Sequence, residues 1–208
     1  MKKIIITGVT GQDGSHMADY LINNTEHTII GGVRRLSVKN HQNIEHLLGE
    51  PRFFLIDLDV TDAENIDRVI SEHKPDYFIN FAANSFVGTS WQMPVNHMQT
   101  NCMAVLHQLE AIRKHAPDCR YYNAGSSEEF GDVITEPQGW LFNHEGTRRG
   151  VEFVTRKITQ NVARIADEFA RKENFEPLRL GNIESKRDWS DAEDFASFPY
   201  PSHLQILL

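Results

Sequence analysis

Two stretches of the chain carry residue types whose spacing could do chemistry. The first is Gly8-Val9-Thr10-Gly11-Gln12-Asp13-Gly14, a G-x-x-G-x-x-G spacing between a β-branched run and a helical pattern. A strand-to-helix turn without side chains lets a pyrophosphate reach backbone N–H groups and the positive end of a helix. The alternative is a plain βα turn; a strand before, a helix after and a place at the N-terminus favour dinucleotide binding. The second stretch is NAGSSEEFG, residues 123–131, which sets Ser126 and Glu128 at the end of an apolar-aromatic run. Its hydroxyls and carboxylates make either a polar turn or part of a catalytic site.

Further candidates follow from their order along the chain. Arg34 and Arg35 stand where the second strand should end, near an adenosine ribose. An acidic residue there would bind the 2′-hydroxyl of NAD, whereas guanidinium groups suit the 2′-phosphate of NADP. The alternative is a pair of solvated surface arginines. Asp59 and Val60, after the third strand, are placed to meet the adenine, and Phe81, Ala82, Ala83 and Ser85, after the fourth, include small residues that let a backbone approach a cofactor closely. Arg148-Arg149 is a second basic spot that could hold an anion. The histidines show no ligand spacing, so no metal site is expected.

These residues need a scaffold of alternating strands and helices. Residues 3–7 (KIIIT) read as a strand buried on both faces, and strands are also expected over 28–33, 52–56, 77–82 and 120–124. Helices are expected over 15–23, over 62–73 with Asp62 as N-cap, over 95–115, and over 153–172 through Ile158, Val162, Ile165 and Phe169. The result is an α/β class, a Rossmann-like doubly wound parallel sheet with a truncated C-terminal substrate region. Residues 1–138 form the NADP-binding domain. Residues 139–208 hold a partial last strand, beginning at 139–143, and a remnant of the substrate region. No clear element is expected in the tail over 195–208.

Bulk properties exclude several classes. The chain has 208 residues, 40% hydrophobic and 24% charged, as for an ordinary globular protein. A formal net charge of −8 argues against a nucleic-acid partner. Nothing approaches a membrane span. The two cysteines, Cys102 and Cys119, suggest a reducing, cytoplasmic compartment.

Together these pieces resemble the extended short-chain dehydrogenase/reductase superfamily, and within it the GDP-mannose 4,6-dehydratase family. The resemblance rests on ITGVTGQDGSHMADYL (6–21), VRR (33–35), LFNHEGTRRGVEFVTRKIT (141–159) and LGNIESKRDW (180–189). It implies that NADP takes a hydride from carbon 4 of GDP-mannose, that water is lost across carbons 5 and 6, and that the hydride returns to carbon 6. It also implies that Ser126 hydrogen-bonds the sugar hydroxyl and that Glu128 takes the carbon 5 proton. By the same resemblance His144 and Arg149 contact the cofactor, Asn143, Arg156, Lys157 and Arg187 lie near the GDP-sugar, and the assembly is a homo-oligomer.

One departure stands out. The superfamily's base is a tyrosine followed four residues later by a lysine, one helical turn apart on one face. Tyr20, Tyr77, Tyr121, Tyr122 and Tyr200 all lack that lysine. The helix that carries the pair would lie between Gln138 and Gly139, and its loss should uncover apolar sheet surface at a cost of about 1.5–3 kcal/mol per large side chain. The expectation is a shortened dehydratase, inactive alone. The competing readings are a catalytically inert NADP- or nucleotide-sugar-binding protein, or a related nucleotide-sugar epimerase or reductase, against which the 141–159 block counts.

Overall fold

The computed structural model describes residues 1–38, 40–125, 143–172, 174–181 and 189–197. Five strands, β1 (Lys3–Thr7), β2 (Thr28–Val33), β3 (Phe53–Asp57), β4 (Tyr77–Asn80) and β5 (Arg120–Asn123), form one parallel sheet in the order β3-β2-β1-β4-β5. The chain winds outward from β1 in both directions, so a crevice opens beyond the C-terminal end of β1, where such sheets bind ligands. β1 is central, and Ile4, Ile5 and Ile6 are all fully buried because both faces are covered.

Period-2 alternation sorts these side chains. Ile4 and Ile6 pack with Met17 and Leu21 of helix α1 (Gln12–Asn24) and with Ile44 and Leu47 of a 3-10 turn, Gln42–Leu47. Ile5 packs on the other face with Ile66, Val69 and Ile70 of α2 (Ala63–His73) and with Ala111 and Ile112. Asp62 caps α2 by accepting a hydrogen bond from the Asn65 N–H at 3.0 Å. The helix expected over 95–115 runs as α3 (Pro94–Met98), a π-helical turn (Gln99–Met103) and α4 (Ala104–His115).

β4 ends two residues before its expected limit. The Phe81 N–H still reaches the Thr7 carbonyl at 3.3 Å, but the Ala82 N–H turns to the Thr7 hydroxyl at 3.2 Å, so the chain leaves the sheet there.

Beyond β5 the pattern differs from expectation. Residues 139–142 lie outside the described residues, and β6 (Asn143–Glu145) pairs in parallel with β7 (Trp189–Asp191) as a separate two-stranded sheet. A helix, α6 (Ala192–Ser197), follows β7 and packs on α1, with Ala192 buried; it takes in the first three residues of the tail expected to hold no clear element, and 198–208 lie outside the described residues. Helix α5 (Val154–Ala170) forms as expected, yet Val162 and Phe169 on its apolar side are 57% and 72% exposed.

The predicted uncovering of the sheet takes a milder form. Tyr121 and Tyr122 on β5 remain half-buried, Tyr121 by stacking on Phe78 at 5.7 Å and by donating to Gln108 Oε1 at 2.6 Å. The exposure falls instead on α4, where Leu106 and Leu109 face outward.

Candidate functional site

The glycine turn is built from close backbone contacts. Gly8 has φ of +67°, and a Cβ there would sit 2.9 Å from Ala82 N. A Cβ on Gly14 would sit 2.3 Å from the Gly8 carbonyl oxygen. The first glycine thus lets β1 turn against the end of β4, and the third lets α1 start hard against the turn. Gly11 is the N-cap of α1 and supplies no side-chain cap, so the helix N-terminus is open toward the crevice.

That crevice is a cleft of about 540 Å³. Its lining includes Gly8, Thr10, Gly11, Gln12, Asp13 and Gly14 from the turn, Arg34 beyond β2, Asp59 and Val60 beyond β3, and Phe81, Ala82, Ala83 and Ser85 beyond β4. Four strand ends predicted separately from the sequence therefore converge on one space. Val9 is fully buried, its side chain in the core beside Ile4 and Ile6. Arg35 is exposed and lies outside the lining.

The segment after β6 closes one side. Arg149 lines the cleft, its guanidinium 3.6 Å from the ring centroid of Phe153 and its Nε 3.2 Å from Glu145 Oε2. His144 stands behind the turn, with Nε2 2.9 Å from Asp13 Oδ1. Burial alone would raise the pKa of Asp13, but the hydrogen bond and charge of His144, together with Gln12 and Arg149, hold the carboxyl below its ordinary value. Asp13 is thus an anion that stiffens the turn. Arg156 and Lys157, in the first turn of α5, lie outside the lining, Arg156 half-buried and Lys157 exposed. Asn143 opens β6. Ser126, Glu128 and Arg187 lie outside the described residues.

Sequence reasoning missed Leu36, Asn40, His41, Asn43 and Glu152, which line the cleft, and read Arg148 only as part of a possible anion spot. Asn43 reaches Thr10 across the fold, its Nδ2 donating to the Thr10 carbonyl at 3.0 Å. The double arginine at 148–149 was the one readable signal for that wall. The loop at 36–43 had none, because nothing local ties it to the glycine turn.

With this geometry in view, comparisons with known proteins become decisive. The sequence model of the GDP-mannose 4,6 dehydratase family matches residues 5–139 and 137–200. The chain belongs to the GDP-mannose 4,6-dehydratase family. It is 35% identical to GDP-mannose 4,6-dehydratase of Yersinia enterocolitica, covering 94% of this chain and 62% of that protein. It is 34% identical to the enzyme of that name from Drosophila melanogaster, covering 93% and 59%. The chain thus spans about three fifths of the length of these curated relatives. Among solved structures, dTDP-glucose 4,6-dehydratase from Bacillus anthracis, in complex with NAD, superposes with a TM-score of 0.72 at 18% identity, over 96% of this chain and 70% of that one. UDP-glucuronic acid 4-epimerase from Bacillus cereus gives 0.73 at 19%, over 93% and 70%. These two establish the fold, an α/β Rossmann-like sheet.

The family match falls into two segments that meet at 137–139, the junction where the sequence reading places the absent tyrosine helix. The Yersinia alignment runs over 238 residues against a chain of 208, as it must if the relatives carry a block absent here. Tyr121 and Tyr122 are poorly suited to replace that base. Burial pushes Tyr122 up to about 12 and Tyr121 higher still, the reverse of what a tyrosinate needs. Lys2 does donate to the Tyr77 hydroxyl at 3.0 Å, but that pair lies at the N-terminal ends of β1 and β4, opposite the cleft. Among the described residues no helix is long and apolar enough to cross a membrane.

Proposed function

We propose that the chain is an NADP-binding protein of GDP-mannose 4,6-dehydratase type that, without a Tyr-x-x-x-Lys pair, does not convert GDP-mannose alone. The observation that carries this reading is the convergence of the glycine turn, Arg34, Asp59-Val60 and Phe81–Ser85 on one cleft. The residues fit such a cofactor: the α1 N-terminus is uncapped by any side chain, and glycines stand where a Cβ would collide with the turn.

In this reading the backbone N–H groups of the turn hold the pyrophosphate, and Arg34 meets the 2′-phosphate that distinguishes NADP from NAD. Asp59 and Val60 flank the adenine, and the backbone at 81–85 runs beside the cofactor. His144 and Arg149 secure the turn and its far wall. With a base for the carbon 4 hydroxyl in place, bound NADP would supply hydride exchange with the sugar, Ser126 would hydrogen-bond the sugar hydroxyl, and Glu128 would take the carbon 5 proton and deliver one to the departing carbon 6 hydroxyl, so that water would be lost. Asn143, Arg156, Lys157 and Arg187 are the residues the family resemblance assigns to the GDP-sugar, where cations would meet the diphosphate. The group absent from the sequence is the base for the carbon 4 hydroxyl, and without it the first hydride step has no proton acceptor. A reducing, cytoplasmic setting accords with two unpaired cysteines.

The test is a calorimetric titration of the purified 208-residue chain with NADP, alongside an assay with GDP-mannose. Binding without turnover is expected. Absence of binding at high micromolar NADP overturns the first half of the proposal, and formation of the 4-keto-6-deoxy sugar overturns the second.

A further inference from the structure

The cleft has two walls that no main-chain ladder joins. One is the loop through Arg34, Leu36, Asn40, His41 and Asn43, which leads into the 3-10 turn Gln42–Leu47. The other is the segment carrying Arg148, Arg149 and Gly150. One carboxylate on α1 touches both. Asp19 Oδ1 lies 2.6 Å from Nε2 of His46, in the 3-10 turn, and Asp19 Oδ2 accepts from Nη2 of Arg148 at 2.6 Å. Asp19 and Arg148 are only 22% and 20% exposed, so solvent screens this contact less than a surface pair. Arg148 Nη1 is buried and has no hydrogen-bond partner among the described residues, so its contact with Asp19 is what holds that guanidinium against α1.

We propose that Asp19 is a positioning residue that sets the spacing of the two cleft walls, and through His46 the placement of the loop that carries Arg34. This rests on the reading of the cleft as an NADP site. α1 supplies a rigid frame because its Met17 and Leu21 are locked in the core. Each carboxylate oxygen serves one wall; the Arg148 contact is the more shielded, and the His46 contact, with His46 51% exposed, is the more open to solvent. An amide at position 19 is uncharged, so both contacts lose the strength a carboxylate gives them: its oxygen can accept from Arg148, and its NH2 can meet His46 Nε2 only in the tautomer that leaves that nitrogen unprotonated.

The experiment compares the wild-type chain with Asp19→Asn and Asp19→Glu. Amide hydrogen exchange is measured without ligand, and NADP and NAD are then titrated well below the melting temperature. Asp19→Asn is expected to speed exchange in the walls at 42–48 and 146–150. It is expected to raise the NADP Kd about tenfold, equivalent to about 1.4 kcal/mol, and to raise the NAD Kd less, so that preference for NADP narrows. Asp19→Glu, which keeps both acceptor oxygens, is expected to preserve that preference. Unchanged exchange in both walls, or equal losses for the two cofactors, overturns the proposal. Should the wild type bind neither cofactor, the cofactor reading falls and the exchange data alone decide whether Asp19 joins the walls. Should Asp19→Asn not fold, His46→Gln and Arg148→Gln each release one wall, and exchange that rises in neither overturns the idea.

Discussion

Replacing Gly14 by alanine tests the glycine turn at its tightest point. The new Cβ would lie 2.3 Å from the Gly8 carbonyl oxygen and 2.8 Å from Gly8 C and Val9 Cα. All three are backbone atoms of the turn itself, so no side chain can swing away to relieve the contact. Overpacking of this kind costs about 1–3 kcal/mol, and rigid neighbours place the substitution near ~3. Alanine within a helix returns about 1 kcal/mol relative to glycine, leaving a net loss of about 2. For a chain of this size that lowers the melting temperature by about 4–8 °C. The turn must also open, which moves the α1 N-terminus away from the cleft, and NADP affinity should fall with stability. Thermal unfolding and NADP titration measure the two effects. Gly181→Ala is the control, because nothing lies within 4 Å of a Cβ there. A Gly14→Ala protein that melts within 1 °C of wild type and binds NADP normally would refute the close-approach argument.

Three other outcomes follow from the same structure. Arg34→Ala should weaken NADP by about 1.5–3 kcal/mol, the worth of a hydrogen bond to a charged group, and leave NAD nearly untouched; equal losses for both in a parallel titration would remove Arg34 from the 2′-phosphate. Asp62→Ala should cost about 1 kcal/mol in urea unfolding, because it strips the cap from the Asn65 N–H. The third concerns His16, whose pKa is lowered by burial and then by Arg148, with Glu193, Asp19 and Asp13 opposing. The folded chain then binds fewer protons than the unfolded one, so His16 costs stability as pH falls below about 6.5. Urea unfolding at pH 7.5 and 5.5 should show a smaller acid loss for His16→Asn than for wild type.

Local signals were the legible part of the sequence. β2 was readable to the residue because TIIGGV is a β-branched run bounded by polar residues, and α2 because Asp62 announces its start. The glycine turn, Arg34, Asp59-Val60 and Phe81–Ser85 could be ordered from strand ends alone, since a parallel sheet delivers every such end to one edge. What escaped depends on contacts between distant segments. Among the described residues β6 and β7 pair only with each other, and no composition of NHE or WSD announces that. Asn43 and Arg148 enter the cleft by bonds to Thr10 and Asp19, which their own neighbours in sequence do not encode. The helix from Pro94 to His115 read as one element, and its π-helical turn was invisible; there Thr100 and Asn101 bond Asn84 at 3.2 and 2.8 Å. The apolar side of α5 shows the reverse case, a pattern legible in sequence whose Ile158 and Ile165 are half-buried while Val162 and Phe169 stay exposed.

In the proposed function four strand-end segments form one NADP site, and the sequence lacks the base for the carbon 4 hydroxyl. Amide hydrogen exchange of the 208-residue chain, with and without saturating NADP, separates these two halves in one sample. Protection is expected at 8–14, 32–36, 58–61 and 81–85 together, with no consumption of added GDP-mannose. Protection confined to other segments, or protection at none of these with cofactor in excess, would contradict that proposal.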